Sequence, residues 1–320
     1  MTAVVVRWVS ADKTAHMADT AGAEMPPSDA VWSWIDVDSP DNTTLEALGE
    51  SHGLHALALE DVRHAQVRPK LDAYGGWIFL AWLTPRAPEG ERVAADELDV
   101  FVSKNMLITL HDGPCCGVEA MATDLARSMH GGPDWLLHAI IDRLVDDTLP
   151  LIDRVGERLE EIEDAMLEAS PRQDDLRDLH RVRRQIVRLH RIVAPERDIL
   201  RGLTRESDII SGDAYRYFQD IGDHVSRALD AIETYQDVGA SVMDIYLSAQ
   251  GNRMNEIMKQ LTVVATIFMP LTLISGIYGM NVLGGMWPSP QAPWSFVVVV
   301  ASLAIIAVVM AVYFGKRNWW

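Results

Sequence analysis

Charged residues are absent from the last part of the sequence. Residues 260–315 contain no Asp, Glu, Lys, Arg or His. Within this run, 261–278 and 294–314 are apolar segments, each close to the roughly 20 residues that a helix needs to cross a bilayer. A pair of buried soluble helices is the alternative, but a core helix of this length rarely lacks every charge. The sequence therefore predicts two membrane helices joined by a short loop.

Cysteine is also scarce. Cys115 and Cys116 are the only two cysteines, and adjacent cysteines cannot easily bridge each other. The N-terminal residues show no positive segment followed by a long apolar run, so no cleavable signal peptide is predicted. We expect the large N-terminal part to remain in the reducing cytoplasm.

Basic residues flank the two apolar segments and are missing between them. Arg253 and Lys259 precede the first segment, whereas Lys316 and Arg317 follow the second. The positive-inside rule then places both termini in the cytoplasm of a multi-pass protein of the cell (inner) membrane. The formal net charge of −18 falls almost wholly in the cytoplasmic part, which argues against a nucleic-acid partner and permits attraction of cations.

The N-terminal third is predicted to be an α+β cytoplasmic domain spanning 1–133. Segments 4–9, 32–37, 77–83 and 98–110 are rich in β-branched and aromatic residues and are predicted as strands. Segments 41–52 and 57–64 are predicted as helices, the first with Ser39 or Asp41 as its N-cap. A loop is expected over 85–95, and Gly131-Gly132-Pro133 marks the end of the domain.

Two helices of opposite charge are predicted next, in a helical hairpin region spanning 134–212. Residues 142–168 carry ten acidic and three basic side chains, whereas 172–205 carry ten arginines and five acids. An antiparallel pair whose surface charges neutralise each other explains this pattern. Alternatively, the acidic helix gathers cations near a pore mouth.

A long helix is predicted from residue 213, because no proline interrupts the sequence before Pro270. Its stalk, 213–260, shows a 4,3 spacing of apolar residues from Phe218 to Ala249, which is typical of a packing seam. A second 4,3 row consists of small and polar residues and continues into the apolar segment. It comprises Asp244, Ser248, Gly251, Asn255, Met258, Thr262, Ala265, Met269, Thr272 and Gly276.

The second row allows two interpretations. Small residues permit close packing of membrane helices. A water-filled pore would also accept Thr, Asn and Met where lipid favours Leu and Val. Two helices cannot enclose a pore, so the second interpretation requires a symmetric ring of subunits.

Several motifs along the chain together resemble the CorA family of divalent-cation transporters. The most specific of these motifs lie in and just before the first apolar segment, and the last of them ends with Gly-Met-Asn at a predicted membrane surface. The matching segments are NEIM at 255–258, TIFMPLT at 266–272, GIYGMN at 276–281, LALED at 57–61, RPK at 68–70, YFQD at 217–220 and KRNWW at 316–320.

The resemblance implies a funnel-shaped homopentameric channel for Mg²⁺, with Co²⁺ or Ni²⁺ as further substrates. It assigns 261–281 to the first transmembrane helix and pore, 282–293 to the outer loop, 294–314 to a lipid-facing second helix and 315–320 to a basic cytoplasmic tail. Gly279, Met280 and Asn281 would form the selectivity filter. Asn255, Met258, Leu261, Met269 and Thr272 would line the pore, and the second 4,3 row contains four of these five. Neutral oxygens suit a filter that binds Mg²⁺ with its hydration shell, because this ion dehydrates reluctantly.

The resemblance also implies regulatory Mg²⁺ bound on the cytoplasmic side. Asp220 would bind one such ion between neighbouring subunits, and Asp244 would lie near a second site. The partner carboxylate for Asp220 is expected after the strand 77–83, where Glu89 or Glu91 is the candidate. The outer loop departs from the family pattern because it has no acidic residue, which leaves the ion preference open. If Asp220 and Asp244 bind no metal, they are solvated helix residues.

Three other functions are alternatives to a magnesium channel. An enzyme with a metal site at His52, His55, Glu60, Asp61 and His64 would be the main rival, but the spacing fits no strong zinc pattern. A membrane-anchored scaffold would conduct no ions. A proton-coupled Zn²⁺ transporter of the related ZntB-like branch would usually need an ionisable group inside the membrane, and 260–315 contains none.

Overall fold

The computed structural model describes residues 2–20, 26–64, 68–87, 93–168, 173–203, 205, 208–280, 288, 292–317 and 319. The chain divides into two compact units. The first is formed by Met1–Glu168 and Arg172–Val242, and the second by Met243–Trp320. Glu89 and Asn281, two of the predicted site residues, lie outside the described residues.

A seven-stranded sheet forms the base of the first unit. Its strands are β1 (Ala3–Ser10), β2 (Ala15–Thr20), β3 (Ala30–Asp38), β4 (Lys70–Tyr74), β5 (Trp77–Arg86), β6 (Ala94–Val102) and β7 (Met106–His111). The spatial order is β2-β1-β3-β7-β6-β5-β4. β3 and β7 are parallel, with Ile35 opposite Ile108, and the other neighbours are antiparallel.

Two short helices cover one face of this sheet. α1 (Asn42–His52) begins after Asp41, whose carboxylate accepts a hydrogen bond from the Thr44 backbone N–H at 2.8 Å. α2 (Ala56–Arg63) follows it, and Leu48 and Leu59 pack with Phe79 and Phe101 of the sheet in one buried cluster. Both helices were predicted from the sequence, and of the two predicted N-cap candidates, Ser39 and Asp41, the structure shows Asp41.

The predicted strand 98–110 is wrong, because the chain turns back within it. β6 ends at Val102 and β7 begins at Met106, and the two strands pair antiparallel. The turn is closed by the Ser103 backbone N–H, which donates to the Met106 carbonyl at 2.8 Å. Apolar residues on both sides of this short turn are buried, so the sequence pattern resembles a single strand.

Helices follow the sheet. They are α3 (Cys116–Thr123), α4 (Leu125–Ser128), α5 (Pro133–Glu168), α6 (Gln173–Leu203), α7 (Gly212–Tyr278) and α8 (Ser295–Lys316). The acidic α5 and the arginine-rich α6 pack together, and Arg158 pairs with Asp178 across them at 2.9 Å. Phe218, Ile221 and Val225 of the predicted 4,3 seam on α7 are fully buried. The predicted pairing of the acidic and basic helices is confirmed, and so is the packing seam over Phe218, Ile221 and Val225.

A charged network lies partly buried where β3 and β7 run in parallel. Asp36 accepts a hydrogen bond from the Thr109 hydroxyl at 2.7 Å and pairs with Arg7 at 3.4 Å and with His111 at 3.2 Å. The Arg7 guanidinium lies over the Trp34 ring at 4.1 Å from its centroid. One carboxylate on β3 therefore pairs with basic side chains from the two neighbouring strands, β1 and β7.

Close packing of α5 on α7 depends on Gly156. A Cβ atom at this position would overlap the ring of Tyr235 on α7. The ring is half-buried between the two helices, so relief would require either the Tyr235 side chain or one of the helices to move.

We expect Gly156→Ala to destabilise the protein by about 1–3 kcal/mol, because overpacking outweighs the gain in helix propensity. Thermal unfolding of the detergent-solubilised protein measures the effect as a lower midpoint. Gly212→Ala is the control, since a Cβ there meets nothing within 4 Å. An unchanged midpoint for Gly156→Ala would show that α5 and α7 separate without cost.

Candidate ion pathway and metal site

Two helices of the second unit are long and apolar enough to cross a membrane. They are the C-terminal part of α7 and the whole of α8, and only 6% of the most apolar window of each is buried. Large apolar side chains exposed in this way need lipid or another protein surface to cover them.

The predicted pore residues lie on one side of α7. At about 100° per residue, Asn255, Met258, Leu261, Met269 and Thr272 fall within roughly 120° of the helix circumference. All five are exposed, with Met258, Leu261 and Met269 at 53%, 61% and 73%. The single chain therefore leaves this face uncovered, as the ring interpretation requires.

Threonine hydroxyls along this part of α7 are bonded to their own helix. Thr262 donates to the Met258 carbonyl, Thr266 to the Thr262 carbonyl and Thr272 to the Phe268 carbonyl, at 2.7–2.8 Å. Each hydroxyl proton is thereby satisfied inside an apolar helix. The oxygen lone pairs remain able to accept hydrogen bonds from water.

An apolar groove runs between α7 and α8. It has a volume of about 530 Å³, and Leu261, Met269 and Pro270 line one wall while Met310 contributes to the other. Two of the five predicted pore residues thus border α8, whereas Asn255, Met258 and Thr272 do not line the groove.

The helix α7 ends where the Gly-Met-Asn motif begins. Its last residue is Tyr278, after which the Gly279 N–H donates to the Ser275 carbonyl at 2.9 Å and the Met280 N–H to the Ile277 carbonyl at 3.2 Å. Gly279 and Met280 are exposed. A Cβ on Gly279 would lie 3.3 Å from the Ser275 carbonyl oxygen, so glycine allows the tight end of this helix.

A second group of polar side chains lies in the first unit, beside Asp220. The His224 ring nitrogen Nε2 is 3.8 Å from the Asp220 carboxylate, one helical turn away on α7. Asp142 and Asp146, one turn apart on α5, each place a carboxylate oxygen within 4.8 Å of a His224 nitrogen and of each other. We call Asp142, Asp146, Asp220 and His224 the carboxylate cluster.

The electrostatics of this cluster suit a divalent cation. His224 keeps its buried Nδ1 without a hydrogen-bond partner in the described structure. Burial lowers the pKa of the neighbouring His138, although the charges of Asp142 and Asp220 act in the opposite direction. Carboxylates beside an imidazole nitrogen can bind Mg²⁺ through water or transition metals directly.

The sequence identified only one member of the carboxylate cluster. Asp142, Asp146 and His224 were missed, although the i,i+4 spacings of Asp142 with Asp146 and of Asp220 with His224 are visible in the sequence. The predicted partner Glu89 lies outside the described residues. Asp244 is exposed on α7 and stays a prediction.

Two histidines of the alternative enzyme site, His55 and His64, make local structural contacts. His55 caps α2 through the Leu57 N–H and stacks on Tyr74 at 4.3 Å between ring centroids. His64 contacts the Glu60 carbonyl at 2.9 Å, and Lys70 binds Asp61 at 2.6 Å. In the part of the chain that the structure describes, these residues do not form a metal cluster.

Fold and site together define a membrane protein with a large sheet-and-helix domain, a 67-residue helix and two candidate spans. Over residues 29–317 the chain matches the model of the CorA-like Mg²⁺ transporter protein family. It therefore belongs to the CorA family, whose members are ion transporters and not enzymes.

Known relatives agree with this assignment. The chain is 32% identical over 90% of its length to the cobalt/magnesium transport protein CorA of Thermotoga maritima, of which it covers 83%. It is 26% identical to the zinc transport protein ZntB of Pectobacterium carotovorum, over 89% of this chain and 87% of that protein. The structure of the CorA magnesium transporter from Methanocaldococcus jannaschii superposes with a TM-score of 0.83 over 99% of this chain and 98% of the other, at 23% identity.

Proposed function

We propose that this protein is a homopentameric channel for hydrated Mg²⁺, with Co²⁺ and Ni²⁺ as further substrates. The observation that carries the proposal is the uncovered polar face of α7, which contains Asn255 and Thr272 and leads to the Gly-Met-Asn motif. The relatives from Thermotoga and Methanocaldococcus are cobalt/magnesium transport proteins, which supports this class of ion.

The ring would place five copies of Asn281 and of the Gly279 carbonyl at the pore mouth. Such neutral oxygens bind the hydration shell of Mg²⁺ without stripping it. Below this filter, Met258, Leu261 and Met269 would form apolar constrictions that close the pore by dewetting. α8 would face lipid.

Membrane potential is the proposed driving force. Both termini would face the cytoplasm, as the basic residues at the ends of the spans favour. A negative-inside potential contributes about 2.3 kcal/mol per charge per 100 mV, and twice that for a divalent ion. The absence of ionisable residues from 260–315 fits passive flow and leaves no group there to couple the flow to protons.

Flux into liposomes tests the proposal. We expect the reconstituted protein to admit Mg²⁺ when the interior is made negative with a potassium gradient and valinomycin, and to admit little without the potential. Co²⁺, Ni²⁺ and Zn²⁺ are compared under the same conditions. Equal Mg²⁺ entry into protein-free and protein-containing liposomes would refute the channel.

Proton-coupled Zn²⁺ transport is the second candidate, supported by the similarity to ZntB. A pH gradient imposed without a membrane potential separates the two. Zn²⁺ entry that follows the pH gradient would favour this candidate, whereas Mg²⁺ entry that follows the potential favours the channel.

The carboxylate cluster would provide regulation by cytoplasmic Mg²⁺. Asp142 and Asp146 come from α5, and Asp220 and His224 come from α7. A bound cation would stabilise the closed arrangement of these helices, and its loss would leave carboxylates that repel each other. Transport would then stop as internal Mg²⁺ rises.

We expect Asp220→Ala to lose this inhibition, because the cluster no longer holds the cation tightly. The measurement is the initial Mg²⁺ flux of purified protein at increasing Mg²⁺ on the cytoplasmic side, where the half-inhibiting concentration should rise about tenfold or more, the usual scale for removing one group from a metal site. Asp230→Ala, an exposed carboxylate elsewhere on α7, is the control. Identical inhibition curves for Asp220→Ala and the unaltered protein would remove Asp220 from regulation.

A further inference from the structure

A cavity of about 890 Å³ lies at one end of the sheet in the first unit. The β1–β2 turn with Lys13 and the β6–β7 turn with Lys104 both lie at this end, because β3 pairs with β1 on one side and with β7 on the other. The rest of the wall comes from α4, the beginning of α5 and the residues just before α7. We call this feature the turn cavity. Its volume lies within the roughly 300–1,000 Å³ that is usual for small-molecule sites.

Part of the wall of the turn cavity is apolar. Val9 and Trp32 are neighbours across β1 and β3, and Met129 follows α4; all three side chains are buried. Val31 and Ile209 also line the cavity, and Val31 is 58% exposed. Burial of such apolar surface under the apolar or aromatic part of an organic ligand is favourable.

Two of the five lysines of the chain line the turn cavity. Lys13 and Lys104 are far apart in the sequence, and the order of the strands brings their turns to the same end of the sheet. Both are exposed, and neither makes an ion pair within the part of the chain that the structure describes. His130 adds an imidazole to the same wall. The cavity therefore offers cationic donors in a protein of formal net charge −18.

Among the described residues that line the turn cavity, Asp134 is the one carboxylate, and it is already bonded. One of its oxygens accepts a hydrogen bond from the Trp135 N–H at 2.9 Å, and the other accepts from the Ser211 N–H at 3.0 Å. The Asp134 carboxylate therefore satisfies the beginning of α5 and joins it to the segment before α7. It makes no ion pair with Lys13 or Lys104, so both ammonium groups remain available to an anion.

We propose that the turn cavity binds a nucleoside phosphate. Lysine ammonium groups bind phosphates as point charges, so Lys13 and Lys104 would hold the phosphates. The base would lie against the apolar wall that includes Trp32. A small anion without a ring would leave that wall uncovered. The site uses no residue of the ion pathway or of the carboxylate cluster, so this proposal goes beyond the proposed function and is tested separately from it.

A ligand in the turn cavity would connect the two turns of the sheet to the beginnings of α5 and α7. Ser211, which is bonded to Asp134, also accepts a hydrogen bond from the Ala214 N–H through its hydroxyl at 3.3 Å. The cavity thus borders the joint at which α7 begins. A ligand that binds only the folded chain stabilises it by mass action, so the midpoint of thermal unfolding should rise with the concentration of the nucleotide.

Equilibrium dialysis of radiolabelled ATP against the full-length protein in detergent tests the proposal. EDTA is present throughout, so that no metal ion held by the carboxylate cluster contributes to binding. We expect saturable binding of one ATP per chain, and we expect adenosine and inorganic phosphate each to compete at least tenfold more weakly than unlabelled ATP. Lys13→Gly and Lys104→Ala should each weaken ATP binding about tenfold, the factor that corresponds to the loss of one charge-assisted hydrogen bond.

The backbone at Lys13 makes this variant a clean test. Its φ of 65° lies in the left-handed region that favours glycine, so Lys13→Gly removes the ammonium group without straining the turn. The midpoint of thermal unfolding without ATP should therefore not fall. Lys13→Arg keeps the charge and should keep most of the binding. Arg184→Ala is the matched control, because it removes one positive charge from an exposed position on α6 that does not line the cavity.

Two results would overturn the proposal. The first is an absence of saturable ATP binding to the unaltered protein, and the second is equal binding by that protein and by the double variant Lys13→Gly with Lys104→Ala. Competition by inorganic phosphate as strong as that by ATP would reject the nucleoside part of the ligand. Mg²⁺ flux without nucleotide reports on the channel independently of all three results.

Discussion

Replacing Asn281 with alanine is expected to remove most of the Mg²⁺ flux into liposomes. In the proposed ring the substitution deletes five side-chain amides at once from the narrow mouth of the pore. Each amide oxygen accepts hydrogen bonds from the water held by Mg²⁺, and no charged residue between 260 and 315 can replace it. We expect at least a tenfold fall, because a loss of about 1.4 kcal/mol in the binding of the hydrated ion suffices for that factor.

The competing role for Asn281 is a cap at the end of α7. A cap would act on the stability of the helix end, at about 1 kcal/mol, and not on the ion. The two roles differ in what Asn281→Ala changes: loss of flux with an unchanged unfolding midpoint indicates the filter, and a lower midpoint with retained flux indicates the cap.

Asn252→Ala is the matched control for this experiment. Asn252 is an exposed asparagine of α7 that lies outside the row of predicted pore residues. Its variant should conduct like the unaltered protein. Equal flux through Asn281→Ala and Asn252→Ala would reject the filter assignment.

The helices of this protein could be predicted because their signals are local. The absence of charge over 260–315 and the 4,3 spacing on α7 depend only on neighbouring turns of one helix. The strands of the sheet were harder to predict than the helices. Burial of both β6 and β7 conceals the turn at Ser103-Lys104-Asn105, and the edge strands β2 and β4 carry too few apolar residues to be recognised.

The carboxylate cluster could not be predicted from the sequence, apart from Asp220. Asp142 and Asp220 are separated by 78 positions, and only the packing of the helices brings α5 beside α7. Their spacing along each helix shows which side chains share a face but not which faces meet. The family resemblance singled out Asp220 alone, and its companions required the tertiary structure.

The largest effect on stability is expected from Asp36→Ala. The substitution leaves Arg7 and His111 in the interior without their shared carboxylate, and both side chains are less than 10% exposed. Breaking a buried pair by removing one partner costs about 3–5 kcal/mol, because the remaining charge has lost its solvation and its ionic partner. The midpoint of thermal unfolding in detergent measures the loss. Asp174→Ala, which removes an exposed pair with Arg177, should change stability by less than about 1 kcal/mol.

Measuring the stability of both proteins as a function of pH shows whether the charge of His111 contributes to the effect of Asp36→Ala. Burial tends to lower the pKa of His111, but its hydrogen bonds to Asp36 and to the Gly113 carbonyl raise the pKa overall. Both ring nitrogens face acceptors, which favours the doubly protonated ring. A histidine with a raised pKa stabilises the fold fully below its unfolded pKa of about 6.5, and this contribution is lost as the pH rises through the higher folded value.

Asp99 also makes the free energy of unfolding fall with rising pH, and this contribution must be subtracted. Burial, helped by the charges of Glu97 and Asp61, raises the pKa of Asp99 to about 8, so its contribution also falls as the pH increases toward that value. The difference between the unaltered protein and Asp36→Ala cancels the Asp99 slope, since that carboxyl group is present in both. We expect this difference to be largest near pH 6 and to shrink above the folded pKa of His111. A difference that stays constant from pH 6 to pH 9 would mean that the charge of His111 contributes nothing and that the effect comes from contacts that do not titrate in this range, such as the pair with Arg7.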